Sequence, residues 1–300
     1  MLGLGAATLV VPWSSHRTSA DDAKGTQQIA TNTYPWRTFA KRAGRPYTRH
    51  TDELLGQIAD TGITGYEPIV EAPAELDGLE RRLHAHGLQM RSIYVNSVLH
   101  DEARVDESVA SVIKIAKQAK ALGTRIVVTN PSPIRWAGTE DKTDAQLRLQ
   151  AKSLDLLGAE LRKIGVALAY HNHDAELRQG GREFHHMLTA TDPKNVKFCL
   201  DAHWVFRGCG DSEVAVFDAL NHYHDRIVEL HLRQSVSGVW TETFEMQGDI
   251  DYLRLFEYLT KRSIFPHLVL EQAVEEQTPS RLSAVEAHRQ SNLNVLKAIA

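Results

Sequence analysis

The sequence predicts an α/β fold, a single closed (β/α)8 barrel, and three observations carry that expectation. Strand-like apolar runs alternate with helical patterns from Gln28 to the end of the chain. The best of these runs are short and apolar on both faces, as parallel strands covered by helices must be. No Gly-rich phosphate turn follows the first run, which favours a closed barrel over a dinucleotide-binding sheet. The 300 residues, 42% of them hydrophobic, supply enough length and core for one barrel, which takes about 250 residues.

The repeats follow in order. QIATNTY (28–34) is a first strand, and TDELLGQIADTG (51–62) a helix capped at Thr51 and stopped at Gly62. ITGYEPIV (63–70) is the second strand, followed by the helix LDGLERRLHAHG (76–87); LQMRSIYVNS (88–97) is the third. Val105, Val109, Val112, Ile115, Ala116, Ala119 and Leu122 recur at three- and four-residue steps, marking an amphipathic helix closed by Gly123. TRIVVTNP (124–131) is the fourth strand, and a helix runs from Ala145 to Ile164. VALAYHNH, VKFCLDAH, RIVELHLR and HLVLEQA supply strands five to eight, with helices near 183–190, 212–222, 251–262 and 280–298.

Residues 1–26 differ from the rest and stand outside the barrel, which occupies 27–300. LGLGAATLVVP followed by SSHRTSADDAKGTQ fits either an export signal that has lost its basic front or a disordered, mildly apolar tail. The first reading implies export to the periplasm and the second a cytoplasmic protein. No apolar stretch approaches the ~20 residues that span a bilayer, so no membrane span is expected. With a net charge of −4 and interspersed signs, no basic block argues for a nucleic-acid partner. Cys199 and Cys209 form neither a zinc-type pair nor a disulfide framework. Oligomeric state is not legible.

Four polar residues end the last four strands: His171, Asp201, His231 and Glu271, at intervals of 30, 30 and 40 residues. Parallel strands in a barrel point their carboxyl ends at one mouth, so these side chains converge there. Two imidazoles and two carboxylates make a mixed nitrogen and oxygen shell for a divalent metal ion. Glu271 combines a ligand oxygen with one free to take a substrate proton. Strand alternation places His173 on the face of His171, so one can bind metal while the other acts as acid or base. His203 shares the face of Asp201 and is a candidate substrate contact, as is Arg233, two residues past His231. Glu67, at the end of strand two, is a further acidic candidate near the rim. Trp36 and Trp204, with Tyr94 and Trp240, lie at or beyond strand ends, where aromatic faces suit the apolar face of a sugar. The helical histidines, His288 among them, read as surface residues. There is no GxGxxG, P-loop, GxSxG or HExxH.

GITGYEPI, GVALAYHNHDAEL, VKFCLDAHWVFRGCGD, ELHLRQ, GDIDY and LVLEQ together resemble the xylose-isomerase-like TIM-barrel superfamily, the sugar phosphate isomerase/epimerase group, over roughly residues 27–300. The resemblance implies a metal cofactor, manganese, cobalt, magnesium or zinc, held by Glu, Asp, His and Glu from strands five to eight. Asp201, His231 and Glu271 match the last three positions, and His171 stands where the group has its first Glu. GDIDY implies a loop that helps close the site. The implied activity is isomerisation or epimerisation of a sugar or keto-sugar by proton abstraction next to a carbonyl. YHNHD resembles the branch that includes inosose dehydratases and lyases of 3-keto-glycosides, which keeps elimination open as the alternative. A non-catalytic sugar-binding barrel is the third. In each case the partner is a small carbohydrate.

Overall fold

The computed structural model describes residues 28–299, so the segment 1–26 lies outside the described residues. Eight parallel strands form the barrel: β1 (Ile29–Asn32), β2 (Gly65–Glu67), β3 (Ser92–Tyr94), β4 (Ile126–Thr129), β5 (Ala167–His171), β6 (Val196–Asp201), β7 (Ile227–Leu232) and, after a hairpin of β8 (Ser235–Val236) and β9 (Val239–Trp240), β10 (His267–Leu270). Their order is β2-β1-β10-β7-β6-β5-β4-β3. Backbone bonds from Tyr66 N to Gln89 O and from Tyr94 N to Pro68 O, each 2.9 Å, draw the two outer strands together and close the ring.

Helices cover the outside: α1 (Thr33–Arg42), α2 (Asp52–Ala59), α3 (Leu79–Ala85), α4 (Val105–Ala121), α5 (Asp144–Lys163), α6 (Asp174–Thr189), α7 (Ala202–Gly208), α8 (Glu213–Tyr223), α9 (Tyr252–Thr260) and α10 (Ala284–Ile299). Local chemistry sets their starts. Thr51 accepts the Leu54 amide at 3.2 Å, and Thr143 and Gln146 cap α5 reciprocally. None of the described helices is long and apolar enough to cross a membrane.

Strand alternation divides the core in two. Outward-facing Leu168, Tyr170, Phe198, Leu200, Leu230, Leu232, Leu268 and Leu270 join the large apolar layer beneath the helices. The inward set is short and polar: Asn32, Glu67, Ser92, His171, Asp201, Glu229 and His231 are all buried. A small patch of Tyr94, Ile126, Val128, Ala169 and Cys199 is the apolar part of the interior. Barrel interiors are ordinarily filled by branched aliphatic residues, so this polar lining marks a site. Gly65 serves the same packing, because a Cβ there would stand 2.7 Å from the Cβ of Ala30 on the neighbouring strand.

The expected strands and their order hold, with three local differences. The first strand stops at Asn32, whose side chain accepts the Tyr34 amide and starts α1. Trp36 therefore belongs to a helix, not to the mouth. Its ring stacks on His288 of α10 at 4.3 Å, and its Nε1 donates to Thr31 Oγ1 at 3.1 Å. It is a core residue and not a sugar contact, and His288, expected at the surface, is 1% exposed. The second difference is α7, which begins directly after Asp201 and ends strand alternation there. The third is the hairpin β8–β9, whose two-residue strands carry too little pattern to be read.

Removing the Trp36 ring by Trp36→Ala is expected to cost about 3–5 kcal/mol in urea denaturation while leaving manganese affinity by calorimetry unchanged. A variant as stable as the parent would contradict the core placement.

Candidate metal centre

Pairing between strands sets the height of each donor in the barrel. His171 lies beside Cys199, Asp201 beside His231, and His231 beside Val269, two residues short of Glu271. With this stagger, donor atoms of His171, Asp201, His231 and Glu271 all come within 4.8 Å of one another. Two ligands on opposite sides of one ion, each about 2 Å from it, stand about 4 Å apart. His171 Nε2 is 3.8 Å from Asp201 Oδ2, and His231 Nδ1 is 3.3 Å from Glu271 Oε2.

The donor set passes a chemical test for a cation. Both ring nitrogens of His171 and Oδ2 of Asp201 are buried and have no hydrogen-bond partner. Burial, followed by the charges of His231 and His173, pushes the His171 imidazole well below its ordinary pKa, leaving a neutral ligand. Burial likewise pushes the Asp201 carboxyl up to about 7, against the pull of Arg233. Orphaned polar atoms at this depth are costly unless something binds them, and one divalent ion would satisfy Asp201 Oδ2 and one of the two His171 nitrogens. These four side chains could hold it.

Beneath the donors lies a second polar layer. Glu67, expected at the rim, is fully buried with its Oε1 3.0 Å from His231 Nε2. Asn32 Nδ2 donates to Glu67 Oε1 at 2.6 Å and Ser92 Oγ to Oε2 at 2.7 Å, so its oxygens are held by protein groups rather than offered to a substrate. Burial opposes its ionisation, but the His231 charge and these bonds hold its carboxyl down to about 2. Burial and the adjacent Glu67 push Glu229 well above the usual carboxylate range, so it stays protonated. His231 itself is raised well above its ordinary value, because Cys199, Glu67 and Glu271 together outweigh its burial. With Nε2 bonded to Glu67, Nδ1 is the nitrogen turned to Glu271 and the mouth, and a cation bound there would take the place of its proton.

The mouth is walled by cations and rings. Arg233 is fully buried, donates from Nη2 to Glu271 Oε2 at 2.8 Å and keeps Nη1 without a partner. Its guanidinium lies 4.4 Å from the Trp240 ring centre and 4.9 Å from that of Trp204. Burial opposes ionisation of Glu271, but His231 and Arg233 outweigh it and keep the carboxylate charged. His173 enters the mouth as expected, 4.8 Å from the His171 ring and 5.5 Å from Trp204. Burial pushes its imidazole down to about 4, so it stands neutral with Nδ1 unpartnered. His203 departs from the face of Asp201, because the first turn of α7 carries it to the hairpin. There it donates from Nε2 to Ser235 Oγ at 2.8 Å, and Ser235 in turn donates to Asp249 Oδ2 at 2.6 Å. Asp249 of GDIDY also accepts the Ser237 and Gly238 amides, so that segment anchors the loop over the site.

Sequence reasoning missed the residues that orient the donors. Asn172 clasps the Asp201 backbone through both its amide atoms, at 3.0 and 3.2 Å. Glu176 accepts the His173 amide at 2.6 Å and the Asn130 side chain at 3.1 Å, fixing the turn out of β5. The spacing of His173 and Glu176, a cap residue and an acid three positions on, was the available signal. Glu229 was legible too, since alternation puts it on the face of His231.

Fold and donor set define an eight-stranded α/β barrel with a candidate divalent-cation centre at the carboxyl ends of its strands. The chain belongs to the xylose isomerase-like TIM barrel family, whose model matches residues 55–294. It is 22% identical to an inosose dehydratase of Clostridium perfringens over 263 residues, which cover 78% of this chain and 85% of the relative. Among solved structures, a sugar phosphate isomerase/epimerase from Parabacteroides distasonis aligns with a TM-score of 0.70 at 16% identity, covering 95% of this chain and 98% of that one. A 3-keto-D-glucoside 4-epimerase from E. coli aligns at 0.64 and 17% identity, covering 91% and 99%.

A ligand imidazole is held by the group behind it. Glu67→Gln is accordingly expected to weaken manganese binding about 10–100-fold in calorimetric titration. Equal affinity in the variant and the parent would mean that Glu67 serves the fold alone.

Proposed function

We propose that this protein is a divalent-metal-dependent enzyme that acts on a keto-sugar or keto-glycoside, removing the proton next to its carbonyl and returning it as an isomerase or epimerase. One observation carries the reading: four donors converge at the mouth, and those of His171 and Asp201 have no partner in the protein. Two imidazoles and two carboxylates suit manganese, cobalt or zinc better than magnesium. The bound ion supplies Lewis-acid stabilisation of the charge that develops on the carbonyl oxygen as the α-proton leaves.

The remaining steps fall to this chain's own groups. Glu271 is the base: Arg233 and His231 hold its Oε2, and no protein donor among the described residues engages its Oε1. His173, neutral and three strands around the mouth from Glu271, is the second group able to give or take a proton. Proton transfer at two sides of a substrate is what isomerisation between neighbouring carbons or inversion at one carbon requires. Arg233 Nη1 and the Trp204 ring hold the sugar and exclude water, while Trp240, buried between Arg207 and Arg233, backs that wall.

A second reading, elimination by a lyase or dehydratase, is favoured by His171 in the position where the family has a carboxylate and by the likeness to inosose dehydratases. There His173, protonated by the substrate, would pass its proton to the departing hydroxyl or alkoxide.

The test is an NMR screen of keto-sugars in deuterated buffer with the manganese-loaded protein. Deuterium is expected at the carbon next to the carbonyl with every substituent retained, and Glu271→Gln is expected to slow that exchange by about 10²–10⁴-fold. Release of water or an aglycone would select the elimination reading. Absence of exchange with every sugar while manganese stays bound would reject both.

A further inference from the structure

A cavity of about 700 Å³ opens beside the mouth, between the loop that follows β3 and the loop that follows β4. It is outside the donor cluster but not separate from the mouth. Trp136 forms part of its wall, and the edge of the same ring meets His173 at 5.4 Å between centroids and 84° between planes. His173 in turn meets His171. A ligand held at the donors and extended past His173 would therefore meet the Trp136 ring, which stands between the mouth and this cavity.

Its lining describes what would occupy it. Trp136 is 53% exposed and Ile134 43%, two large apolar side chains left uncovered on one short loop. Val98 and Leu149 add apolar wall. His100 lines the cavity 8% exposed with Nδ1 lacking a partner, and burial followed by the Lys142 charge pushes its imidazole down to about 4. A neutral imidazole beside an aromatic face suits a ring that is apolar on its face and hydroxylated on its edge. Asp101 and Glu102 stand against Arg104 and Arg135 around the opening, so the lining carries no excess of positive charge for a phosphate.

We infer that this cavity is the subsite for the second ring of a keto-glycoside: a neutral six-membered ring joined through the glycosidic oxygen to the sugar that sits at the metal donors. This rests on the keto-sugar reading above and narrows it, from any keto-sugar to one that carries a substituent. The ring's source, a second sugar or an aryl group, shares the same face-and-edge chemistry.

The experiment is calorimetric titration of the manganese-loaded full chain with three probes: methyl 3-keto-β-glucoside, 4-nitrophenyl 3-keto-β-glucoside and 3-keto-cellobiose. At least one two-ring probe is expected to bind ten-fold or more tightly than the methyl glycoside. Preference for the nitrophenyl probe identifies an aryl source, and preference for the disaccharide a sugar. Ala145, exposed on the first turn of α5 at the cavity wall, allows the space to be filled from outside the donor site. Ala145→Trp is expected to erase the two-ring advantage while leaving the methyl glycoside and manganese affinities unchanged, and Trp136→Ala to reduce the advantage. Equal binding of all three probes, or an advantage that survives Ala145→Trp, would overturn the inference and leave the keto-sugar reading standing. Failure of every probe to bind, with manganese in place, would remove both.

Discussion

The imidazole of His231 organises the barrel interior, because each of its ring nitrogens faces a buried carboxylate. Glu67 holds Nε2 from below and Glu271 approaches Nδ1 from above. Neither acid could remain ionised at that depth alone, since desolvation of a carboxylate is costly without an opposing charge. Arg233 supplies the second cation, on the far side of Glu271. The result is a column of alternating charge, Glu67, His231, Glu271 and Arg233, running from the barrel centre to its mouth. Its lower end is locked by Asn32 and Ser92, and its upper end by the rings of Trp204 and Trp240.

That column explains why the interior departs from ordinary barrel packing. Branched aliphatic side chains in place of Glu67, Glu229 and Ser92 would fill the space but leave His231 free to rotate. Hydrogen bonds at fixed lengths hold the ring as packing alone would not. The protonated Glu229 beside Glu67 keeps the layer from carrying two adjacent negative charges. On the other side of the mouth, His171 and His173 are neutral and sparsely bonded, so charge is concentrated on one wall.

The barrel was legible because period-two alternation and apolar runs are imposed by every strand, and the four donors because each ends such a run. What escaped was set by partners remote in sequence. An aromatic residue just past a strand looks the same whether it turns to the mouth, as Trp204 does, or into a helix interface, as Trp36 does. Asn32 and Pro35 carried the helix start that would have separated the two cases. The depth of Glu67 depends on barrel stagger, which no local pattern encodes. His288 became a core residue because Trp36 lies against it, and nothing in the α10 sequence announces that contact. His203 was displaced by a helix of seven residues, too short to show a period of its own.

Asp201 performs two tasks with its two oxygens. Oδ1 accepts the Trp204 amide at 3.0 Å and so starts α7, while Oδ2 is the atom left for a cation. One carboxylate thus serves both the candidate cation site and the start of the helix that carries Trp204. Replacement at this position is pleiotropic by construction: a change to this carboxylate alters the candidate cation site and the placement of the Trp204 indole together. Drift in substrate preference should therefore accumulate in the loops around the mouth, where each side chain answers to fewer demands.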